Sequence, residues 1–344
     1  MRHSKIVVIG ASAGGIEALN ELVRGLPTDF SAPILLVLHI PADSPSLLAK
    51  ILARHGTIKA KTAEDGEVAV NGTLYVAPPD RHLLVEADGT LRTPRGPREN
   101  RHRPSVDPLF RSAALAYGPH AIGVILTGTL DDGTAGLLAI QRRGGITIVQ
   151  DPEDAAYPGM PLSAIRHVKV DHVLPIPAIA AELVESLSRE PRTAEGNGSE
   201  EKRMDLENKI SQMDSKALRG DERPGKPSAF SCPDCGGVLW EIDDGNLTRF
   251  RCRVGHAYSP ETMLAAQGDV LEEALWTAMK TLEESARLSK RLAETERERD
   301  HEWMAERFDQ KETEARDRAD VIRRFLASGD STVPLAGSRL ADVE

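Results

Sequence analysis

Hydrophobic and polar positions over the first 190 residues switch repeatedly between two periods. Ile6–Ile9, Ile34–His39, Leu74–Ala77, Ile122–Leu126 and Ile146–Val149 are short runs rich in β-branched residues. Several are apolar at consecutive positions, which predicts strands buried on both faces. Between many of them, Ile16–Arg24, Pro45–Arg54, Asp107–Tyr117 and Ala135–Arg143 carry helical spacing, and a last helix is expected near Ile179–Leu187. Such alternation predicts an α/β domain, a parallel sheet wrapped by helices. Within Leu83–Arg92 the Asp88-Gly89 pair sits between two extended runs and predicts a small antiparallel hairpin.

The pattern changes after residue 190. Residues 191–229 read as a linker containing a short charged helical piece, Lys202–Leu218, and a Gly/Pro-rich bridge, Gly220–Pro227. Residues 230–258 form a compact cysteine segment with extended runs at Leu239–Ile242 and Thr248–Arg251. Residues 259–327 are helical, with apolar positions 264, 271, 275, 278, 282 and 292 falling on one face. That stripe needs a partner: either the chain folds back at Thr295–Glu302, with Trp303, Phe308, Val321, Ile322 and Phe325 on the return side, or the helix pairs between chains. Residues 328–344 are expected to be a flexible tail.

Length and charge narrow the function. A chain of 344 residues with 40% hydrophobic and 28% charged positions fits more than one globular domain. The net charge of −10 argues against phosphate-driven nucleic-acid binding, and base stacking would want more aromatics than the 13 present (3 Trp, 4 Tyr, 6 Phe). The acid is concentrated behind the first domain, where residues 191–344 carry 24 basic against 32 acidic side chains, compared with 19 against 21 in residues 1–190. No export, anchoring or membrane-inserting segment is visible, and three cysteines point to a reducing, cytoplasmic setting.

Gly10-Ala11-Ser12-Ala13-Gly14-Gly15 follows the first strand and opens the first helix. As a dinucleotide turn it lacks Gly where Ser12 stands, and no acidic residue ends the second strand, which closes on Leu38-His39-Ile40-Pro41. Read as G-x-S-x-G, the segment is a nucleophile elbow. Its serine needs a base and the base an orienting group; His39 and the acids of Thr127–Gly133 each stand just past a strand's carboxyl end. A triad in the order Ser, His, Asp is the expectation.

VVIGASAGGIEAL, LHIP, AEDGE (63–67), YVAPPDRHL (75–83), NRHRPSVDPLF (100–110), GVILTGTLDDGTAGL (123–137) and PGMPLSAI (158–165), in that order, resemble the catalytic domain of the CheB-type chemotaxis receptor methylesterases over nearly all of residues 4–190. The resemblance implies a doubly wound, mostly parallel α/β domain with helices on both faces. It implies a serine nucleophile at Ser12, a general base at His39 and an orienting carboxylate at Asp132, with Asp131 where the family often has Asn. The implied reaction is hydrolysis of glutamate methyl esters on a helical, methyl-accepting chemoreceptor, with glutamine deamidation as a side activity and no cofactor for the chemistry. Position points to Ala13 and the Gly128–Leu130 loop as oxyanion donors, with Thr129 where the family often has Met. The segment Asn100–Asp107, including Arg101, His102, Arg103 and Ser105, is implied to border the substrate site; Ser105 is alternatively a helix cap. Met160 is a candidate for the substrate site or for packing. The common family architecture begins with a phosphoryl-accepting receiver domain, so phosphorelay control is expected to come from another polypeptide, if at all.

Cys232, Cys235, Cys252 and His256 have the spacing C-x2-C-x16-C-x3-H, with Gly236 behind Cys235 and Gly255 behind Cys252. Four such ligands suit a structural zinc in a small ribbon, with no coordination position left open. Arg249, Arg251 and Arg253 make a local basic stripe in an otherwise acidic tail. The tail is expected to serve a signalling partner or homo-oligomer formation. A non-catalytic adaptor binding a methylated helix is the competing class, and nucleotide binding at the Gly-rich turn a third.

Overall fold

A computed structural model describes residues 5–192 and 198–327. Part of the expected linker and the expected flexible tail lie outside the described residues. One compact unit runs to Thr262 and a second begins at Met263.

In the first unit a seven-stranded sheet is built from β1 (Ile6–Ala11), β2 (Ile34–Leu38), β3 (Lys59–Thr62) and β4 (Thr73–Val76), then β7 (Ala121–Ile125), β8 (Ile146–Gln150) and β9 (His172–Leu174). The short hairpin β5 (Leu84–Val85) and β6 (Leu91–Arg92) is the antiparallel pair expected at Asp88-Gly89. The large sheet has the order β3-β4-β2-β1-β7-β8-β9, and all its pairings are parallel. Alternate side chains of β1 go to opposite faces: Val7, Ile9 and Ala11 join one core, Ile6 and Val8 the other. The first core is closed by α1 (Gly15–Gly25), α2 (Leu48–His55) and α6 (Ile176–Ser188), the second by α3 (Val106–Tyr117), α4 (Thr134–Arg142) and α5 (Gly159–His167). The sheet is therefore doubly wound. The chain steps outward from β1 through β2, returns, and steps the other way through β7, which makes the carboxyl ends of β1, β2 and β7 the switch point where such folds place their ligands.

Differences from the sequence reading have local causes. The edge strand β3 (KAKT) is polar, as exposed edges tend to be, and gives no apolar run. Helix α6 starts three residues earlier than expected because Pro177 in its first turn needs no N–H partner.

The boundaries expected at 190 and 230 do not divide the molecule. Helix α7 (Gly198–Ser211), the short α8 (Ser215–Arg219) and a four-stranded sheet β10 (Lys226–Ser231), β11 (Val238–Asp243), β12 (Thr248–Cys252) and β13 (Ala257–Tyr258) belong to the same compact unit as the α/β domain. What joins them is largely ionic, with Leu247, between β11 and β12, also entering the second hydrophobic core. Arg111 of α3 and Arg251 of β12 both bind Glu99, and Glu207 of α7 pairs with Arg111 and Arg249, all with side chains at most 13% exposed. The basic stripe is thus internal at Arg249 and Arg251. Burial opposes the charge of Glu207, but Arg249, Arg111 and Arg251 overcome it and bring its carboxyl down to about 2. Glu99 is depressed for the same reason, against its burial, by Arg111 and Arg251.

In the second unit, helix α9, which begins at Pro260 and ends at Glu298, turns into α10 (Glu302–Ala327). The ion pairs Glu283–Arg323 and Arg297–Asp309 have equal residue sums, so the helices run antiparallel as a hairpin. The expected stripe is only partly covered: Leu275, Ala278, Leu282, Phe308 and Ile322 are half-buried. Ala286, Ala293, Ala305, Ala315 and Ala319 are buried, whereas Leu264, Leu271, Leu292, Trp303, Val321 and Phe325 are exposed.

Candidate active site

The strand ladder continues into the loops at the switch point. The His39 N–H donates to Ala11 O, the Leu126 N–H to Gly10 O and the Ser12 N–H to Thr127 O, which locks the three strand ends together. On that platform Ser12 Oγ lies 3.0 Å from His39 Nδ1, and His39 Nε2 donates to Asp132 Oδ2 at 2.7 Å. The acid bonded to His39 is therefore Asp132. Asp131 faces elsewhere and accepts from Ser259 Oγ at 2.8 Å.

Asp132 is buried and saturated with donors. Asn100 Nδ2 reaches Oδ1 at 2.8 Å, Ser105 Oγ lies 2.8 and 2.9 Å from the two oxygens, and the Val106 N–H reaches Oδ2 at 2.6 Å. Burial works against its charge, but the His39 hydrogen bond and charge, with the Val106 and Asn100 donors, hold the carboxyl down to about 2. Its neighbour Asp107, sharing the Asn100 amide, is pushed up to about 7 by burial and by the Asp132 charge. Ser105 is thus not a helix cap; its hydroxyl is spent on Asp132 and α3 has no side-chain cap. His102 stacks on His39 with ring centroids 3.7 Å apart and 9° between planes. Burial first, and His39 second, lower its titration to about 4.

The remaining candidates separate. The Gly128 N–H is taken by Tyr157 O at 2.9 Å, so it does not point at an oxyanion; its lack of a Cβ matters instead, since one would sit 2.1 Å from Met160 Sδ and 2.8 Å from Ser12 Cβ. Met160 is fully buried in the core beneath that loop and is packing rather than cleft wall. Thr129 is exposed beside the loop, and Ala13 lies in the turn behind Ser12, where its carbonyl accepts from Thr127 Oγ1. Arg103 lines the open cleft with Ser12, His39, Arg98 and Arg101, its guanidinium fixed by Asp80 Oδ1 at 2.5 Å and Gly96 O at 2.6 Å. Sequence reasoning placed Asn100 only at the start of the Asn100–Asp107 segment implied to border the substrate site and gave it no part in holding Asp132.

Within the same compact unit, Cys232, Cys235, Cys252 and His256 bring four ligand atoms within 4.8 Å of one another. Cys235 Sγ and Cys252 Sγ are 3.8 Å apart, too far for a disulfide, and His256 Nδ1 is 3.6 Å from the sulfurs of Cys232 and Cys252. Tetrahedral zinc with ordinary bond lengths separates two sulfurs by about 3.8 Å and a sulfur from a nitrogen by about 3.5 Å. The residues fit that ion.

A doubly wound α/β fold with a Ser–His–Asp hydrogen-bonded chain across its switch point has the architecture of a hydrolase. The family model described as CheB methylesterase matches residues 7–183, and the chain belongs to that family. A Leptospira interrogans relative is 47% identical over 174 residues, 51% of this chain and 90% of that protein. The protein-glutamate methylesterase/protein-glutamine glutaminase of group 3 operon from Bradyrhizobium diazoefficiens is 43% identical over 183 residues, 52% of this chain and 50% of its own length. The crystal structure of the Thermotoga maritima CheB methylesterase catalytic domain is similar at 39% identity with a TM-score of 0.51, covering 53% of this chain and 98% of that one. The chain thus spans about half the length of the Bradyrhizobium relative, and the segment from the ribbon onward lies beyond the matched region.

Proposed function

We propose that this chain is a protein-glutamate methylesterase of chemotaxis-type signalling, with Ser12 as nucleophile, His39 as base and Asp132 as orienting carboxylate. The observation that carries the reading is the continuous chain Ser12–His39–Asp132 at 3.0 and 2.7 Å. Asp132 holds the proton on His39 Nε2 and leaves Nδ1 free to accept from Ser12 Oγ. The serine oxygen then attacks the ester carbonyl of a methylated glutamate while His39 takes its proton. Collapse of the tetrahedral intermediate returns that proton to methoxide, releasing methanol and leaving a glutamyl ester on Ser12. Water, deprotonated by His39, cleaves this ester and restores the serine. With a glutamine the same steps release ammonia. The Ala13 N–H is the oxyanion donor we assign from its place behind the nucleophile. The substrate is a helical chemoreceptor segment, engaged through the cleft that Arg98 and Arg101 border.

Zinc at Cys232, Cys235, Cys252 and His256 is assigned a structural role: it would cross-link the ribbon, and the four protein ligands leave no position for substrate. Reduced thiols fit a cytoplasmic protein, and no described helix is long and apolar enough to cross a membrane. Methanol release from methylated receptor, measured with the unaltered chain and with Ser12→Ala, tests the reading. Loss of release in the variant is expected, and equal rates would overturn the assignment. Binding of methylated receptor without turnover by the unaltered chain would favour an adaptor.

A further inference from the structure

The metal cluster and the Ser12–His39–Asp132 chain are joined by one strip of hydrogen bonds. The ligand His256 runs directly into β13, and Ala257 pairs in parallel with Glu99: its carbonyl accepts from the Asn100 N–H at 2.7 Å and its N–H donates to Arg98 O at 3.2 Å. The Ser259 N–H then donates to Asn100 Oδ1 at 3.2 Å, and the same amide's Nδ2 donates to Asp132 at 2.8 Å. Asn100 and Arg101 have φ of 50° and 71°, left-handed values that need support from outside the loop. One residue further, His102 stacks on His39. The strip is pinned from below. Arg251, which pairs directly with Ala257 in the β12–β13 ladder and is fully buried, binds Glu99 at 2.8 and 3.1 Å and Gly255 O at 2.9 Å. Gly255 can come up against this loop because it has no Cβ, which would meet Pro97 at 2.6 Å and Ile210 at 2.5 Å.

We propose that the ribbon is a working part of the active site, and that metal bound at Cys232, Cys235, Cys252 and His256 sets the rate at Ser12 by holding the Ala257–Ser259 strand against Arg98–His102. This rests on the esterase and zinc readings above. Asn100 and Ser259 are positioning residues in this scheme and touch no reacting atom: Asn100 acts through Asp132, while Ser259 holds Asn100 by its N–H and, by its hydroxyl on Asp131 at 2.8 Å, ties the end of the strand to the loop that carries Asp132. Removing the metal frees Cys252 and His256, which close the turn between β12 and β13 and so fix the start of the strand whose Ala257 pairs with Glu99. The Asn100 amide then loses its fixed orientation under Asp132, and His102 its position on His39.

The test uses the full chain with two readouts, methanol release from methylated receptor and the labelling rate of Ser12 by a fluorophosphonate. Metal analysis should find about one zinc per chain. Chelation that removes it, with the far-UV circular dichroism retained, should lower kcat and the labelling rate about tenfold or more, leave KM within about twofold, and be reversed by zinc. With metal bound, Ser259→Ala should lower both rates while Ser259→Thr, which keeps the hydroxyl, stays near the unaltered chain. A chain that binds no metal, or that keeps both rates within about twofold after its metal is stripped, overturns the proposal. Should chelation unfold the chain, the Ser259→Ala and Ser259→Thr pair decides, and equal rates in the two overturn it. A chain that labels rapidly but demethylates no receptor defeats the methylesterase reading alone, because the labelling rate still reports the coupling.

Discussion

Asp131 and Asp132 are adjacent in the chain, and replacing each by asparagine separates their roles. Asp132 meets only donors: on one oxygen His39 Nε2, Ser105 Oγ and the Val106 N–H, on the other Asn100 Nδ2, Ser105 Oγ and the Asp107 N–H. An amide at this position must aim its NH2 at one of those sets. Facing His39, it forces the ring to accept at Nε2 and carry its proton on Nδ1, where it meets Ser12 Oγ and can no longer take a proton from it. Loss of the working tautomer costs on the order of 10⁴-fold in kcat, about 5.5 kcal/mol of barrier. Facing Asn100, the amide breaks the support of the loop and leaves a buried donor unmatched, at a cost of about 1–3 kcal/mol in stability. Asp131 receives a hydroxyl from Ser259, which an asparagine oxygen accepts equally well. Asp131→Asn should therefore stay within about threefold of the unaltered rate, a barrier change under about 0.7 kcal/mol. Methanol release under saturating methylated receptor measures both, with thermal melts to confirm folding. A Asp132→Asn rate within tenfold of the unaltered chain, or Asp131→Asn as damaging as Asp132→Asn, would refute the assignment of roles.

Other consequences follow from the buried ion pairs, the stacked histidines and the thiol cluster. Glu99→Gln leaves Arg111 and Arg251 without their carboxylate and should lower the stability of the first unit by about 3–5 kcal/mol in urea titrations; a loss under about 1 kcal/mol would show the network to be dispensable. His102 titrates near 4 in the fold against 6.5 in the unfolded chain. Its contribution is flat above pH 6.5, and as pH falls from about 6.5 to about 4 the unfolded chain takes up a proton that the stacked ring refuses, so stability drops by up to about 3 kcal/mol. His102→Phe should lack that component, and parallel pH–stability curves for the two proteins would disprove it. Cys232→Ser should reduce bound zinc well below one per chain by metal analysis, and an unchanged metal content would exclude this ligand set.

The sheet was legible because a parallel strand buried on both faces must be continuously apolar, as β1 and β2 are, and because Ser12, His39 and Asp132 all stand just past strand ends. The support beneath them was not. Ser105 sits where a capping serine would, and only the folded chain reveals that Asp132 has claimed its hydroxyl. Helix α7 carries no continuous apolar stripe, since beside Met204 and Ile210 it buries Glu207, Asn208 and Ser211 in an ionic joint, so it read as linker. On α9 the opposite occurred: leucines at helical spacing suggested the contact face, whereas the fully buried residues of the α9–α10 hairpin are mostly alanines, which periodicity analysis weighs lightly.

The pairing of Glu99 with Arg251 also imposes a schedule on synthesis. A carboxylate from the first hundred residues waits, with Arg111 as company, for an arginine encoded some 150 codons later. At ordinary elongation speeds the strand that reaches Asn100 emerges roughly 3–14 s after Ser188, the end of the last helix of the α/β domain. Throughout that interval the nascent chain holds its serine and histidine with the Arg98–His102 edge uncovered, and the molecule is finished from its carboxyl side.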